Sequence, residues 1–90
     1  MIDKFIDKNI MVIDVGNTNT VIAIINDKGI DKKWRVSTLL NRTSDEYKII
    51  IDSFFIGGLD KKDITNIIIS SVVPSVVYEL KSCINNYFKI

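Results

Sequence analysis

Histidine is absent from the 90 residues, and cysteine occurs once, at Cys83. These two shortages exclude an internal disulfide, a histidine-based zinc site and a Ser-His-Asp hydrolase built from this chain alone. Proline occurs once, at Pro74, so there is no Pro-rich linker, and no low-complexity segment or internal repeat stands in its place. Neither sign of charge dominates: twelve basic and eleven acidic residues leave +1, which gives no electrostatic footprint for nucleic acid or an anionic membrane. No apolar run approaches the ~20 residues that cross a bilayer. Met1–Asn9 alternates in charge instead of forming a signal-peptide core. A reduced, cytoplasmic protein without nucleic-acid or membrane partners is the economical expectation.

What is present reads as one small globular domain, 47% hydrophobic and 26% charged. At this size folding buries roughly 60–65% of the extended-chain surface, so stability is modest without a partner. Ile10–Val15 is a short apolar run of the kind buried on both faces of a sheet. A second run, Thr20–Ile25, stops at Asn26-Asp27-Lys28-Gly29, where Gly29 can supply a positive φ. Lys32–Thr38 alternates, with Trp34, Val36 and Thr38 on one face and Lys33, Arg35 and Ser37 on the other, as a half-exposed strand near an edge does.

The period then changes. Thr43-Ser44-Asp45-Glu46 fits a capping box, and Tyr47, Ile50, Ile51 and Phe54 follow on one helical face, with Gly57-Gly58 as the stop. Ile64–Val73 is the most apolar stretch and reads as a strand, and Pro74 sits where a helix starts. Val76, Leu80, Cys83, Ile84 and Tyr87 line one face of that helix. The order is β-β-β-α-β-α, an α/β fold. Two hairpins and a helical crossover imply a mixed sheet with the fourth strand parallel to its partner. The buried character of the first and fourth strands places them side by side in the middle, for a strand order 3-2-1-4. So apolar a fourth strand makes a poor edge, and the fold is expected to continue beyond Ile90 with a fifth strand.

The informative segment is Asp14-Val15-Gly16-Asn17-Thr18-Asn19-Thr20 between the first two strands. By spacing alone it is a hairpin turn. Two features suggest more. Asp14 ends an apolar run and is expected to be partly buried, where an unpaired carboxylate is costly. Small hydrogen-bonding side chains also fill four consecutive positions. A phosphate-binding loop explains both: Gly16 allows close backbone approach, successive N–H groups and the Thr18 and Thr20 hydroxyls surround phosphate oxygens, and Asn17 and Asn19 donate without charge. Asp14 then acts through Mg²⁺ or its waters. The segment is neither a Walker A nor a dinucleotide fingerprint, because Gly-Lys-Ser/Thr is absent and the glycine precedes a strand.

Asp14-Val15-Gly16-Asn17-Thr18-Asn19 resembles the first phosphate loop of the acetate-and-sugar-kinase, heat-shock-ATPase and actin superfamily, in the variant of type III pantothenate kinases and the related Bvg accessory factors. The likeness runs on through Trp34-Arg35-Val36-Ser37-Thr38, Asn41-Arg42-Thr43-Ser44-Asp45-Glu46-Tyr47 and Ile69-Ser70-Ser71-Val72-Val73-Pro74. The resemblance implies a ribonuclease-H-like, actin-like ATPase domain, of which residues 1–90 are the N-terminal part of the first domain and residues 1–10 an extension. It implies ATP-dependent phosphorylation of pantothenate to 4'-phosphopantothenate, the first step of coenzyme A biosynthesis. ATP and pantothenate are then substrates, with Mg²⁺, a monovalent cation (K⁺ or NH₄⁺) and a homodimeric assembly. Asp14, Val15, Gly16, Asn17, Thr18, Asn19, Thr20 and Val21 would contact ATP, Asp14 would hold Mg²⁺ through water, and Arg35 and Arg42 could reach an anionic ligand. The family's Gly-x-Asp-Arg motif, which carries the catalytic base, has no counterpart here, so no catalytic residue is assigned and the 90-residue chain alone is expected to be inactive. A non-catalytic regulator of the Bvg-accessory type and another actin-fold sugar or acid kinase are the alternatives.

Other residues have plainer explanations. Asp45 and Glu46 suit a helix N-terminus better than an acid/base pair. Trp34 and Cys83 read as core. Ser70 and Ser71 lack a base nearby and are expected to bond backbone groups at the strand end.

Overall fold

The computed structural model describes residues 9–56 and 60–88. Three strands come first: β1 (Asn9–Val15), β2 (Asn19–Asn26) and β3 (Gly29–Ser37). Helix α1 (Ser44–Ser53), a 3₁₀ turn (Lys61–Asp63), β4 (Ile64–Ser71) and helix α2 (Pro74–Phe88) follow. The sheet order is β3-β2-β1-β4, with β1 antiparallel to β2, β2 antiparallel to β3, and β1 parallel to β4. This mixed α/β sheet is the one that the hairpins and the helical crossover imply. Among the described residues no helix is long and apolar enough to cross a membrane.

The second hairpin closes over Asp27 and Lys28, pairing Asn26 with Gly29. Asn26 Oδ1 accepts from the Lys28 N–H at 2.9 Å, and Gly29 takes φ 107°, a conformation that a side chain would strain. The ladder then carries β3 back to Gly29, three residues before its alternating pattern starts. Helix α1 begins with a complete capping box: Thr43 Oγ1 accepts from the Glu46 N–H, and the Thr43 N–H donates to Glu46 Oε1 at 2.8 Å. It ends at Ser53, with Phe54 as its C-cap, ahead of the expected Gly57-Gly58 stop, which lies outside the described residues. Strand β4 ends at Ser71, two residues early. There the Ser71 hydroxyl accepts from the Val73 N–H and donates to the Val73 carbonyl, turning the chain into α2.

The helices run in the same direction on one face of the sheet. Glu79 Oε1 accepts from the Ser44 N–H at the start of α1, and the Tyr87 hydroxyl donates to Asp52 near its end. Between helices and sheet lies the core: Met11, Ile13, Val15, Ile22 and Ile24 from the strands, Tyr47, Ile51 and Phe54 from α1, and Val76, Leu80, Cys83, Ile84 and Tyr87 from α2. Trp34 stacks on Phe54 with ring centroids 4.0 Å apart, joining β3 to the end of α1. Burial raises the Cys83 thiol pKa above its ordinary value, as suits a core thiol.

One expectation is corrected. Ile10–Val15 is not buried on both faces by the described residues. Its inward positions Met11, Ile13 and Val15 are buried, whereas Val12 is half-buried and Asp14 exposed. Both helices occupy the same side, so the opposite face of β1 and β4 is open among the described residues, with Ile68 54% exposed.

Candidate functional site

Strands β1, β3 and β4 point their carboxyl ends to one rim of the sheet, and both helices start there. In open α/β sheets, ligands bind outside the carboxyl ends of parallel strands, where helix N-termini add positive partial charge. The Gly16–Thr18 hairpin stands on this rim. The Gly16 N–H donates to the Asn19 carbonyl at 2.9 Å, and a Cβ at Gly16 would stand 3.1 Å from that oxygen, so a tight turn accounts for the glycine. The hairpin is braced on both sides: Thr38 N–H donates to the Thr18 carbonyl at 2.8 Å and Val72 N–H to the Val15 carbonyl at 3.1 Å.

The structure divides the eight loop residues by face. Val15 and Thr20 are inward and 1% exposed. Gly16 is half-buried, and Asn17, Thr18 and Asn19 are exposed at the turn. Asp14 and Val21 are directly paired on the open face. Asp14 is therefore exposed, which corrects the expectation of a partly buried carboxylate. The cause is the same one-sided cover: β1 alternates, and position 14 falls on the open side. The burial cost that argued for a metal at Asp14 falls away, and its position at the rim is what remains.

Thr20 departs from expectation in a similar way. Its hydroxyl lies 2.8 Å from the Thr38 hydroxyl on the covered face. The Gly16 N–H is likewise already bonded within the turn. Asn17 and Thr18 keep the N–H groups without a backbone partner among the described residues, and with the side chains of Asn17, Thr18 and Asn19 they form the exposed donor set of the rim.

The two arginines have different settings. Arg35 is exposed on the open face, in the cross-strand row Arg35, Val21, Asp14, Ser70. Arg42 is half-buried: its Nη2 donates to the Ser37 carbonyl at 3.1 Å, and its guanidinium lies 5.8 Å from the centre of the Tyr47 ring. It ties the end of β3 to the start of α1, while its buried Nε has no partner among the described residues. Burial raises the Tyr47 pKa above its ordinary value against the opposing pull of Arg42. Glu46 is held below the usual carboxylate range by the Thr43 backbone and side-chain hydrogen bonds, both of which its Oε1 accepts.

Among the described residues no three His, Cys, Asp or Glu side chains cluster to hold a metal. A cation at the rim would draw on the Asp14 carboxylate, neutral oxygens and water, a donor set that suits Mg²⁺, which keeps several waters and takes one or two carboxylates. Sequence reasoning missed two supports, the Thr38 partner of Thr20 and the Glu79 acceptor at Ser44. Thr38 was legible from its place on the Trp34 and Val36 face, whereas nothing local marks Glu79, which sits 35 residues from its donor.

Comparison with known proteins gives this hairpin a context. Residues 10–90 match the sequence profile of the family described as type III pantothenate kinase. A type III pantothenate kinase of Halalkalibacterium halodurans is 43% identical over 82 residues, which cover 90% of this chain and 32% of the relative. The chain thus spans about a third of the length of that relative. A profile match over all but the first nine residues, together with this identity, establishes that the chain belongs to the type III pantothenate kinase family.

Proposed function

We propose that this chain is the ATP-phosphate-binding part of an enzyme that phosphorylates pantothenate to 4'-phosphopantothenate. The observation that carries the reading is the coincidence of family and geometry: the Asp14–Asn19 segment that resembles the superfamily's phosphate loop is a braced hairpin at the rim where three strand ends and two helix starts meet. The strand order β3-β2-β1-β4 supports an actin-like, ribonuclease-H-like domain, with residues 1–90 its N-terminal part.

At the rim, Asn17, Thr18 and Asn19 donate to phosphate oxygens, with the free N–H groups of Asn17 and Thr18 beside them. Gly16 lets the backbone approach. Val15 and Thr20 anchor the loop to the core, and Val21 flanks Asp14 on the open face. Asp14 holds Mg²⁺ through its waters, since a carboxylate facing phosphate directly would repel it. Mg²⁺ supplies charge neutralisation of the polyphosphate. Arg35, exposed in the Asp14 row, can reach an anionic group, whereas Arg42 acts first as a strut. A cytoplasmic homodimer using a monovalent cation completes the reading drawn from the family likeness.

The test is direct. The complete protein, given ATP, Mg²⁺ and pantothenate, should form 4'-phosphopantothenate, and omission of pantothenate should abolish ADP release. Turnover of another sugar or acid in preference to pantothenate would overturn the substrate assignment.

A further inference from the structure

The two serines at the end of β4 have opposite settings. The Ser71 hydroxyl is engaged with Val73 in both directions, donating at 3.0 Å and accepting at 2.8 Å. Ser70 lies on the open face, exposed, and its hydroxyl has no protein partner among the described residues. Exposure alone carries nothing, because a surface serine is ordinarily just solvated. The register carries more. Ser70 is the direct parallel partner of Asp14, and it supplies the one hydroxyl in the row Arg35, Val21, Asp14, Ser70. Both residues stand at the carboxyl ends of their strands, beside the braced hairpin.

Neighbouring strands lie about 4.8 Å apart, so a single water can hydrogen-bond to side chains on both sides of such a pair. A water bound to a divalent cation is a strong donor and needs an acceptor that does not compete for the metal. A neutral hydroxyl meets that need, whereas a second carboxylate would add charge facing the phosphates. We propose that Ser70 is a positioning residue for the cation: its Oγ accepts from a water of the metal held by Asp14 and fixes the orientation of that water shell against the polyphosphate. The proposal rests on the reading of Asp14 given above.

The experiment uses the complete protein with a non-hydrolysable ATP analogue, whose binding is followed by calorimetry across an Mg²⁺ titration. Binding of Mn²⁺ is followed in parallel by electron paramagnetic resonance. Loss of one water-mediated hydrogen bond should raise the half-saturating Mg²⁺ concentration of Ser70→Ala about three- to tenfold. Its melting temperature without ligand and its nucleotide affinity at saturating Mg²⁺ should stay at the parent values. Ser70→Thr, which keeps the hydroxyl, should restore the parent Mg²⁺ dependence, and Asp14→Asn should disturb it more than Ser70→Ala does. A parent-like Mg²⁺ curve for Ser70→Ala beside a disturbed Asp14→Asn overturns the role of Ser70 alone. A lowered melting temperature with affinity reduced equally at all Mg²⁺ concentrations assigns Ser70 to the fold and also overturns it. An unaltered curve for Asp14→Asn removes the cation reading itself, and the proposal with it.

Discussion

The Thr20–Thr38 pair separates a structural role from a ligand-binding one at the edge of the Gly16–Thr18 hairpin. Thr20→Val keeps the side-chain shape but deletes the hydroxyl that lies 2.8 Å from Thr38 Oγ1. The loss comprises one neutral hydrogen bond and the stranding of Thr38, which is half-buried and can recover part of its solvation from water. A cost of about 1–2 kcal/mol follows, the lower part of the range for a stranded polar group. For a domain of this size that corresponds to a fall of roughly 4–15 °C in melting temperature. Thr38→Val should cost at least as much, because Thr20, 1% exposed, is then left without a partner and cannot recover its solvation from water. The double variant removes both hydroxyls and should be no worse than either single one, giving a coupling energy of about 1 kcal/mol or more. Urea denaturation of the four proteins measures this cycle, and nucleotide affinity measured beside it should be unchanged in Thr20→Val once the fold is intact. Additive losses would refute the pairing. A drop in affinity without a drop in stability would return the Thr20 hydroxyl to the phosphate site.

Three further outcomes follow from the same structure. Glu79→Ala leaves the Ser44 N–H without its acceptor and loosens α1 from α2, so stability should fall by about 1–2 kcal/mol in thermal or urea melts, whereas Lys81→Ala on the exposed side of α2 should have little effect. Glu46 binds its proton more weakly folded than unfolded, so its contribution is complete above the ordinary glutamate range and is lost as pH falls through the lower folded value; Glu46→Gln should remove that part of the acid destabilisation, read from melting temperature against pH. Ile68 is 54% exposed on β4, an edge strand among the described residues, and Ile68→Lys should reduce light scattering on concentration without lowering the melting temperature.

The sequence made most of the fold legible, because its signals were local. The capping box at Thr43 and Glu46, the positive-φ Gly29 and the inward stripe Val76, Leu80, Cys83, Ile84, Tyr87 each follow from a short window, and each stands in the structure. Strand order followed from setting the two apolar strands β1 and β4 side by side, a pairing that stands in the structure although neither is covered on both faces by the described residues. The misjudged point was cover. Apolar composition in β1 suggested burial on both faces, but composition does not report which face the helices occupy, and with it Asp14 moved from a partly buried to an exposed setting. The site was legible as a loop and not as a surface. Asn17 to Thr20 reads as one run of polar residues in sequence, yet the pleat sends Thr20 to the core, and register pairs Asp14 with Ser70, 56 positions away. Such pairings depend on register, which periodicity within one strand cannot give.

The central claim is that the Asp14 hairpin grips ATP phosphates through Mg²⁺, and Asp14→Asn in the complete protein tests it most directly. The substitution keeps the shape of an exposed strand-end residue and removes the charge that holds the cation, so the melting temperature should stay at the parent value. A charge-assisted contact in a preorganised site is worth about 2–4 kcal/mol, so turnover should fall roughly 30- to 1000-fold. Thr18→Val, which alters the same hairpin without changing its charge, should lose less. Near-parental turnover of Asp14→Asn at saturating Mg²⁺ and ATP would contradict the phosphate-loop assignment and leave the segment as a hairpin turn alone.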